Sequence, residues 1–345
     1  MPTTVFFCAA LSLRLIYSPV SDALITVEEL RYAYRRSTGG RPALDGISFA
    51  VRRGEIFGLL GPNGAGKTTV VKILTTILRP GSGRALVAGH DVVRDPLAVR
   101  RSLVAVLQEN AVETLLSVRD NLVLYGLLHG LSRGELDDRI RAVVDLLELA
   151  DYLPGRAQAL SGGFKRRLQV AKALMVETPI LFLDEATTGM DPLVKRRVID
   201  ALRHQAARGR TVVLTTQLLE EAEALCDHMV LMDAGRSLAR GSLSELRALS
   251  RKMFRIHLSF AQPDALAAAA LRALQPRSLE ERGGEFEMTV EGSEDEWIRH
   301  MARVSERWPL SHFEIRGANL EQIFLELYGS PEAVPPRVSN DPITP

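Results

Sequence analysis

The sequence is poor in cysteine and lysine, and it carries almost no net charge. Its two cysteines, Cys8 and Cys226, exclude a disulfide framework and a cysteine-rich metal site. With 43 basic and 42 acidic residues the net charge is +1, so we expect no nucleic-acid partner that binds mainly by charge. Only six of the basic residues are lysines, so a lysine within a motif is less apt to be there by chance.

A long hydrophobic run is also missing. The most apolar stretch is residues 5–13, well short of the roughly 18 to 20 residues that a membrane-spanning helix needs. The residues before it include no positive side chain, which a secretory signal peptide would carry there. We therefore expect residues 1–22 to form an unstructured N-terminal extension.

The chain does contain enough apolar material for folded domains. Hydrophobic residues make up 46% of its 345 residues, and at about 150 residues per domain that length allows two domains. Apolar strands alternate with helical patterns in the first part, which predicts an α/β fold with a largely parallel sheet. We expect this domain at 23–248, a small α+β domain at 249–330, and a disordered, proline-rich tail at 331–345.

Local patterning predicts individual elements as well. In the first domain it predicts strands at 24–27, 30–34, 47–51, 55–60, 180–183, 211–216 and 229–232, and helices at 66–78, within 117–149, at 192–208 and at 218–226. In the second domain it predicts strands at 254–260, 285–290 and 310–316, and helices at 266–274, 294–307 and 320–327.

A glycine-rich loop follows the predicted strand at 55–60. It matches G-x-x-x-x-G-K-[ST], the phosphate loop of nucleotide-binding proteins, whose backbone N–H groups surround phosphate oxygens. Lys67 would reach the β- and γ-phosphates of ATP, and the Thr68 hydroxyl would ligate Mg²⁺. The predicted nucleotide-binding residues here are Gly61, Pro62, Asn63, Gly64, Ala65, Gly66, Lys67, Thr68 and Thr69. The loop alone fits kinases, GTPases and transporter ATPases, but the guanine-reading Asn-Lys-x-Asp motif of GTPases is absent from the sequence.

Two carboxylates end the apolar strand predicted at 180–183. Ligands bind at the carboxyl ends of strands in open α/β sheets, so Asp184 would hold Mg²⁺ and Glu185 could activate the attacking water as a general base. Alone, the pair is equally compatible with an acidic end to a strand.

A serine and two glycines precede a basic helix that starts with Lys165, Arg166 and Arg167. Ser161, Gly162 and Gly163 could form a second anion site at that helix start. In isolation they could equally be an ordinary helix cap.

Together these motifs, in this order, resemble the ATP-binding subunit of an ABC transporter over residues 24–242. The resemblance implies that Tyr34 stacks on adenine and that Gln108 senses Mg²⁺ and the γ-phosphate. It implies that Ser161-Gly162-Gly163 acts in trans on ATP held by a second subunit, and that Asp191 couples the two sites. An ATPase dimer, expected to be a homodimer, follows from this arrangement.

Two positions depart from the family pattern. Phe164 stands where the signature motif usually has Gln, a change for which we expect modest consequences. Gln217 stands where the family usually has a His that contacts the γ-phosphate. A glutamine can donate a hydrogen bond but cannot carry a proton. We therefore predict that Gln217 ligates the γ-phosphate while Glu185 activates the water.

Within the family, the sequence resembles the bacterial daunorubicin/doxorubicin-resistance exporter ATPases. The resemblance rests on the residues that follow Gln217, on 58–61 and on 319–324. It implies an ATPase motor that exports a drug-like or other hydrophobic compound. It also implies a separate polytopic membrane permease as partner and a peripheral location on the cytoplasmic face of the inner membrane.

Other functions remain open at this point. An ATPase of a lipid or polysaccharide exporter, or an importer, would share the core motifs. A soluble, non-transport relative is disfavoured, because every motif occurs once and no long coiled coil separates Lys67 from Ser161.

Overall fold

The computed structural model describes residues 22–34, 41–108, 111–249, 253–262, 265–317 and 319–329. The expected N-terminal extension up to residue 21 and the expected tail lie outside these residues. The strands are β1 Ala23–Tyr32, β2 Leu44–Arg52, β3 Ile56–Leu60, β4 Ser82–Val87, β5 His90–Asp91, β6 Leu103–Val106, β7 Ile180–Asp184, β8 Thr211–Thr216, β9 His228–Asp233, β10 Arg236–Gly241, β11 Met253–Phe260, β12 Ser278–Arg282, β13 Glu285–Glu291 and β14 Leu310–Gly317. The helices are α1 Lys67–Leu74, α2 Pro96–Arg101, α3 Val118–Leu128, α4 Arg133–Leu147, α5 Gly162–Met175, α6 Pro192–Ala207, α7 Leu219–Leu225, α8 Leu243–Leu249, α9 Ala265–Ala273, α10 Glu294–Arg307 and α11 Leu320–Gly329.

The central sheet has six strands in the order β10-β9-β3-β8-β7-β6. Its pairs are parallel except for β10, which runs antiparallel to β9. This confirms the predicted α/β fold with a largely parallel sheet. A second, antiparallel sheet with the order β2-β1-β4-β5 was not predicted as a separate layer.

Strands β3 and β7 are buried on both faces, which explains why their sequences are apolar except for Asp184 at the end of β7. In β7, Ile180 and Phe182 pack into the cluster shared with the antiparallel sheet. Leu181 and Leu183 point to the opposite face and pack into the cluster formed with the helices. The carboxyl end of β7 is thereby held between two hydrophobic layers.

Side-chain caps fix where several helices begin. The side chains of Ser117, Ser132, Ser161, Asp191 and Ser293 each accept a hydrogen bond from the backbone N–H three residues later. Each cap satisfies one of the N–H groups that a helix start leaves without an intrahelical acceptor. Two of these caps, Ser161 and Asp191, belong to motifs identified in the sequence.

The structure differs from the predicted elements in several places. The two strands predicted at 24–27 and 30–34 are one strand, β1, with a register shift where Glu29 adopts a φ of 45°. The helical region at 117–149 is divided into α3 and α4, with Gly130 at φ 82° between them. The sequence patterns did not predict a set of elements that are short or carry polar residues, namely strands β4, β5, β6, β10 and β12 and helices α2 and α8.

The C-terminal segment forms an antiparallel sheet with the order β12-β13-β11-β14. One face of this sheet packs with α9 and α10 into a separate hydrophobic cluster around Ile256, Met288 and Trp297. The elements agree with the α+β pattern predicted from the sequence.

Helix α11 packs on the first domain, although the sequence analysis places it in the second. Its residues Leu320 and Ile323 are fully buried in the main cluster with Leu246 of α8. The backbone N–H of Leu320 also donates to the Glu223 side chain on α7. Over the described ranges, the structure contains no helix with the length and apolarity needed to cross a membrane.

Candidate functional site

The predicted site residues meet at one edge of the central sheet. The phosphate loop follows β3, Asp184 and Glu185 end β7, and Gln217 follows β8. Gln108 comes two residues after β6. Because β3, β8, β7 and β6 are consecutive neighbours and parallel, their carboxyl ends bring these segments side by side.

The phosphate loop needs glycine at two positions for steric reasons. Gly61 has a φ of 152°, and a Cβ atom there would lie 2.1 Å from the carbonyl oxygen of Met232. Gly66 has a φ of 99°, and its Cβ would lie 2.6 Å from the carbonyl oxygen of Ala43. Gly66 is also the N-cap of α1 and supplies no side-chain cap, so the first N–H groups of α1 remain available to an anion.

Lys67 is 5% exposed and folds back over this loop. Its Nζ donates hydrogen bonds to the carbonyl oxygens of Gly61 at 2.8 Å and Pro62 at 3.0 Å. Burial lowers the pKa of Lys67, and the carboxylates of Glu185 and Asp184 oppose that shift. The ammonium group thus lies between the loop and the two acids, where phosphate oxygens would bind.

Asp184 is fully buried and only half satisfied. Its Oδ1 accepts hydrogen bonds from the hydroxyls of Thr68 at 3.2 Å and of Thr215. Its Oδ2 has no hydrogen-bond partner within the described part of the chain. This buried carboxylate oxygen accepts no hydrogen bond and lies next to a threonine hydroxyl. Oxygen ligands of these two kinds fit Mg²⁺. The residues present therefore fit the predicted metal site.

Glu185 has an uncommon backbone conformation. Its φ is 52°, in the left-handed region that non-glycine residues rarely occupy. Its backbone N–H donates to both the carbonyl oxygen and the hydroxyl of Thr215, each at 3.1 Å. The side chain is half-buried next to the phosphate loop, as a water-activating carboxylate would be.

Tyr34 lies beside the helix that follows the phosphate loop. Its hydroxyl is 3.3 Å from Oγ1 of Thr69, and its ring packs edge-on against Tyr32 with the centroids 4.9 Å apart. The side chain is 44% exposed, so one ring face is accessible for stacking on a base.

The Ser161-Gly162-Gly163 segment contacts the loop that precedes α6. A Cβ atom on Gly163 would lie 2.7 Å from the carbonyl oxygen of Gly189, so this close approach requires glycine. The Ser161 hydroxyl accepts from the backbone N–H of Phe164 at 3.4 Å, which is the ordinary helix cap considered in the sequence analysis. Ser161 and Gly162 remain exposed and could still face a partner.

Phe164 connects this segment to Asp191 through Arg167. The Phe164 ring lies 4.1 Å from the Tyr152 ring and 4.5 Å from the Arg167 guanidinium. Arg167 forms an ion pair with Asp191, which also caps α6 by accepting from Val194. The hydrogen bond from Val194 and the charge of Arg167 lower the pKa of Asp191.

Gln108 and Gln217 are both exposed at the sheet edge.

Several residues around the site were missed by the sequence analysis. Arg166 was interpreted as part of a basic run, but its guanidinium is buried and donates to the carbonyl oxygens of Asp184 and Leu107. Burial lowers the pKa of Arg166, and the charges of Asp184 and Glu185 oppose that shift. The one available signal was Gln169 three residues later on the same helix face, which accepts from Arg166 at 2.9 Å. Thr215 was assigned only to a strand, yet it binds both Asp184 and Glu185.

The chain is similar to several known proteins. The family model described as "ABC transporter" matches residues 44–188. The daunorubicin resistance ATP-binding protein DrrA3 of Streptomyces coeruleorubidus is 44% identical over 229 residues, which cover 66% of this chain and 71% of that protein. The Nod factor export ATP-binding protein I of Rhizobium meliloti (strain 1021) is 34% identical over 294 residues, which cover 85% of this chain and 86% of that protein. A solved ATP-binding subunit of an ABC transporter aligns with a TM-score of 0.61 and 28% identity, covering 66% of this chain and 92% of that one.

Proposed function

Because the chain belongs to the family of ABC transporter ATP-binding proteins, which hydrolyse ATP, we propose that it is the motor subunit of a bacterial exporter of drug-like or other hydrophobic compounds. The observation that carries this proposal is the single edge of the sheet where Lys67, Asp184 and Glu185 meet. The 44% identity to a daunorubicin resistance ATP-binding protein supports the choice of cargo class.

The phosphate loop would bind the triphosphate of ATP. The backbone N–H groups of the loop and the Lys67 ammonium, now bound to Gly61 and Pro62, would exchange those carbonyls for phosphate oxygens. Tyr34 would stack on the adenine ring, since its exposed ring lies next to Thr69. Binding therefore needs few charged groups, which agrees with the balanced charge of the chain.

Thr68, Asp184 and Gln108 would hold Mg²⁺ on the phosphates. When bound there, the ion neutralises charge on the β- and γ-phosphate oxygens during transfer. The carboxylate of Glu185 would take a proton from the attacking water, and the Gln217 amide would donate to a γ-phosphate oxygen. The two hydrogen bonds from the backbone N–H of Glu185 to Thr215 hold the backbone of Glu185, which supports a fixed position for the residue that carries this carboxylate.

Ser161, Gly162 and Gly163 would act on ATP bound by a second copy of the chain. The exposure of Ser161 and Gly162 at the start of α5 supports this role, because a helix N-terminus attracts phosphate. Asp191 lies on the same side, tied to α5 by Arg167. ATP binding would then close a homodimer, and hydrolysis would reopen it.

The membrane partner would be a separate polytopic permease at the inner membrane. The chain would bind to its cytoplasmic face as a peripheral subunit. The relatives' names support an export system, and the exported compound need not touch this chain.

The comparisons do not separate this cargo class from a second one. The Nod factor export ATP-binding protein matches 85% of this chain, and the daunorubicin/doxorubicin resistance ATP-binding protein DrrA of Streptomyces peucetius also matches 85% of it. An exporter of a lipid or polysaccharide is therefore the alternative function.

Export can be tested in inverted membrane vesicles that contain this chain together with a co-expressed polytopic permease. We expect ATP-driven accumulation of daunorubicin, and no accumulation with the Glu185→Gln chain in otherwise identical vesicles. Accumulation of a labelled lipid-linked saccharide instead would favour the second cargo class. ATP hydrolysis with neither cargo transported would contradict the export proposal.

A further inference from the structure

A buried carboxylate other than Asp184 lies behind the site, and it was not predicted as a site residue from the sequence. Glu221 is in the first turn of α7, four residues after Gln217, and it is 6% exposed. Its Oε1 accepts a hydrogen bond from the Thr187 hydroxyl. Its Oε2 lies 3.4 Å from the Thr216 hydroxyl and 3.3 Å from Nζ of Lys195. Both carboxylate oxygens therefore have partners.

These three partners come from three different segments of the site. Thr187 follows Glu185 by two residues, in the loop after β7. Thr216 ends β8 and directly precedes Gln217. Lys195 is in α6, and its backbone N–H donates to the carbonyl oxygen of Asp191 at 2.9 Å. Glu221 thus lies where the segments of the general base, the γ-phosphate ligand and the dimer contact meet.

Thr216 connects this carboxylate to the turn that contains Gln217. Its hydroxyl oxygen accepts a hydrogen bond from the backbone N–H of Leu218 at 2.9 Å, and the hydroxyl donates to Oε2 of Glu221 at 3.4 Å. The backbone N–H of Glu221 closes the same turn by donating to the Leu218 carbonyl oxygen at 3.2 Å. Gln217 is exposed, so its backbone is held by the neighbours on either side rather than by its own side chain.

A buried charge lowers the stability of the fold unless paired charges and hydrogen bonds compensate for its removal from water. Leucine or methionine at residue 221 would fill the space without needing Lys195, Thr187 or Thr216. Three specific donors around one carboxylate define a single geometry for the segments that carry them.

We propose that Glu221 is a positioning residue for ATP hydrolysis, which couples the turn holding Gln217 to the helix that begins at Asp191. When a partner subunit contacts Asp191, α6 and Lys195 respond as one unit, and Glu221 passes that displacement to Thr216 and Gln217. This inference rests on the proposed roles of Gln217 and Asp191, and it assigns the link between them to Glu221.

The test uses the purified full chain and variants that remove one interaction each. Glu221→Gln keeps the size and the acceptor for Thr187 but removes the charge that pairs with Lys195. Lys195→Met removes the other charge, and the double variant removes both. Asp200→Asn breaks a pair with Arg203 on the exposed side of α6 and serves as the matched control.

The expected result is a split between turnover and affinity. We expect Glu221→Gln and Lys195→Met each to lower kcat by about 10-fold or more, with the Kd for ATP changed by less than about 2-fold. The double variant should lose no more than the worse single variant, because the two residues act as one unit. Asp200→Asn should hydrolyse ATP at the rate of the unchanged chain.

A second pair of variants keeps the test decisive if Glu221→Gln fails to fold. Thr216→Val preserves the shape of the side chain but removes the hydroxyl between Glu221 and Leu218, so it should lower kcat. Thr216→Ser keeps the hydroxyl and should have a kcat close to that of the unchanged chain. Normal kcat in a folded Glu221→Gln or Thr216→Val chain would overturn the inference, as would losses in the double variant that simply multiply. Failure of the proposed function differs from this, since it would show as undiminished hydrolysis in Glu185→Gln.

Discussion

The Thr68 hydroxyl oxygen lies 3.2 Å from Oδ1 of Asp184, which joins the first turn of α1 to the carboxyl end of β7. The two residues are 116 positions apart in the chain. They meet because β3 and β7 both flank β8, with all three strands parallel. Two oxygen ligands of the kind that Mg²⁺ prefers are thus placed together by the sheet itself.

Replacement of Asp184 by Asn should impair Mg²⁺-dependent hydrolysis and leave the binding of ATP without metal nearly unchanged. The amide keeps the shape but loses the charge opposite Thr68, so we expect hydrolysis to fall by at least about 100-fold. The Mg²⁺ concentration for half-maximal activity should rise, while ATP binding in EDTA should stay nearly unchanged. A magnesium titration measures both quantities, with Asp200→Asn as the control. An unaltered titration curve would remove Asp184 from the metal site.

Gln217 should contribute to turnover through its amide donor. We expect Gln217→Ala to lower kcat by about 100-fold, the usual loss when one transition-state donor is removed. Gln217→His restores a donor at the same place and should recover most of that rate. Steady-state kinetics of the two variants provide the check. Equal rates for Gln217→Ala and the unchanged chain would exclude a role in binding the γ-phosphate.

Helix α11 should stabilise the first domain. Ile323 is fully buried in the main cluster, so Ile323→Ala should reduce the free energy of unfolding by about 2 to 5 kcal/mol. Leu325 on the same helix is 62% exposed, and Leu325→Ala should change it by less than about 0.5 kcal/mol. Urea unfolding measured by circular dichroism compares the two. Similar effects from both substitutions would mean that α11 does not pack on this cluster.

Cys226 should be unreactive in the folded chain. Burial raises the pKa of its thiol, and the charges of Asp227 and Glu221 raise it further. The thiolate is the nucleophile, so a disulfide reagent at pH 8 should modify Cys226 slowly until the chain is unfolded in urea. A Cys8→Ser background ensures that only this thiol is counted. Rapid labelling under native conditions would contradict the burial of Cys226.

Much of the site could be predicted from the sequence because its motifs are local. The phosphate loop, Asp184-Glu185 and Ser161-Gly162-Gly163 are each contiguous, and each follows a strand or precedes a helix. The parallel sheet that brings them together follows from the alternation of strands and helices. Their roles in ATP chemistry stay predictions, but the structure places the phosphate loop, Asp184 and Glu185 in one site.

The supporting residues could not be predicted because their partners are distant in sequence. Arg166 binds the carbonyl oxygen of Leu107, 59 residues away, and Glu221 binds Thr187, 34 residues away. A charged residue in a helix pattern is normally assigned to the solvent face, and only the packing shows that both side chains are buried. Helix α11 was predicted as a helix, but its apolar face gave no indication of which domain it covers.

The turnover of Glu185→Gln in the purified full chain tests most directly whether the Glu185 carboxylate activates the water that attacks ATP. We expect this variant to bind ATP normally, to hydrolyse it at least about 100-fold more slowly, and to form an ATP-dependent dimer on size-exclusion chromatography. Glu177→Gln, which changes an exposed acid paired with Arg139, should behave like the unchanged chain. Hydrolysis by Glu185→Gln at close to the normal rate would exclude Glu185 as the general base.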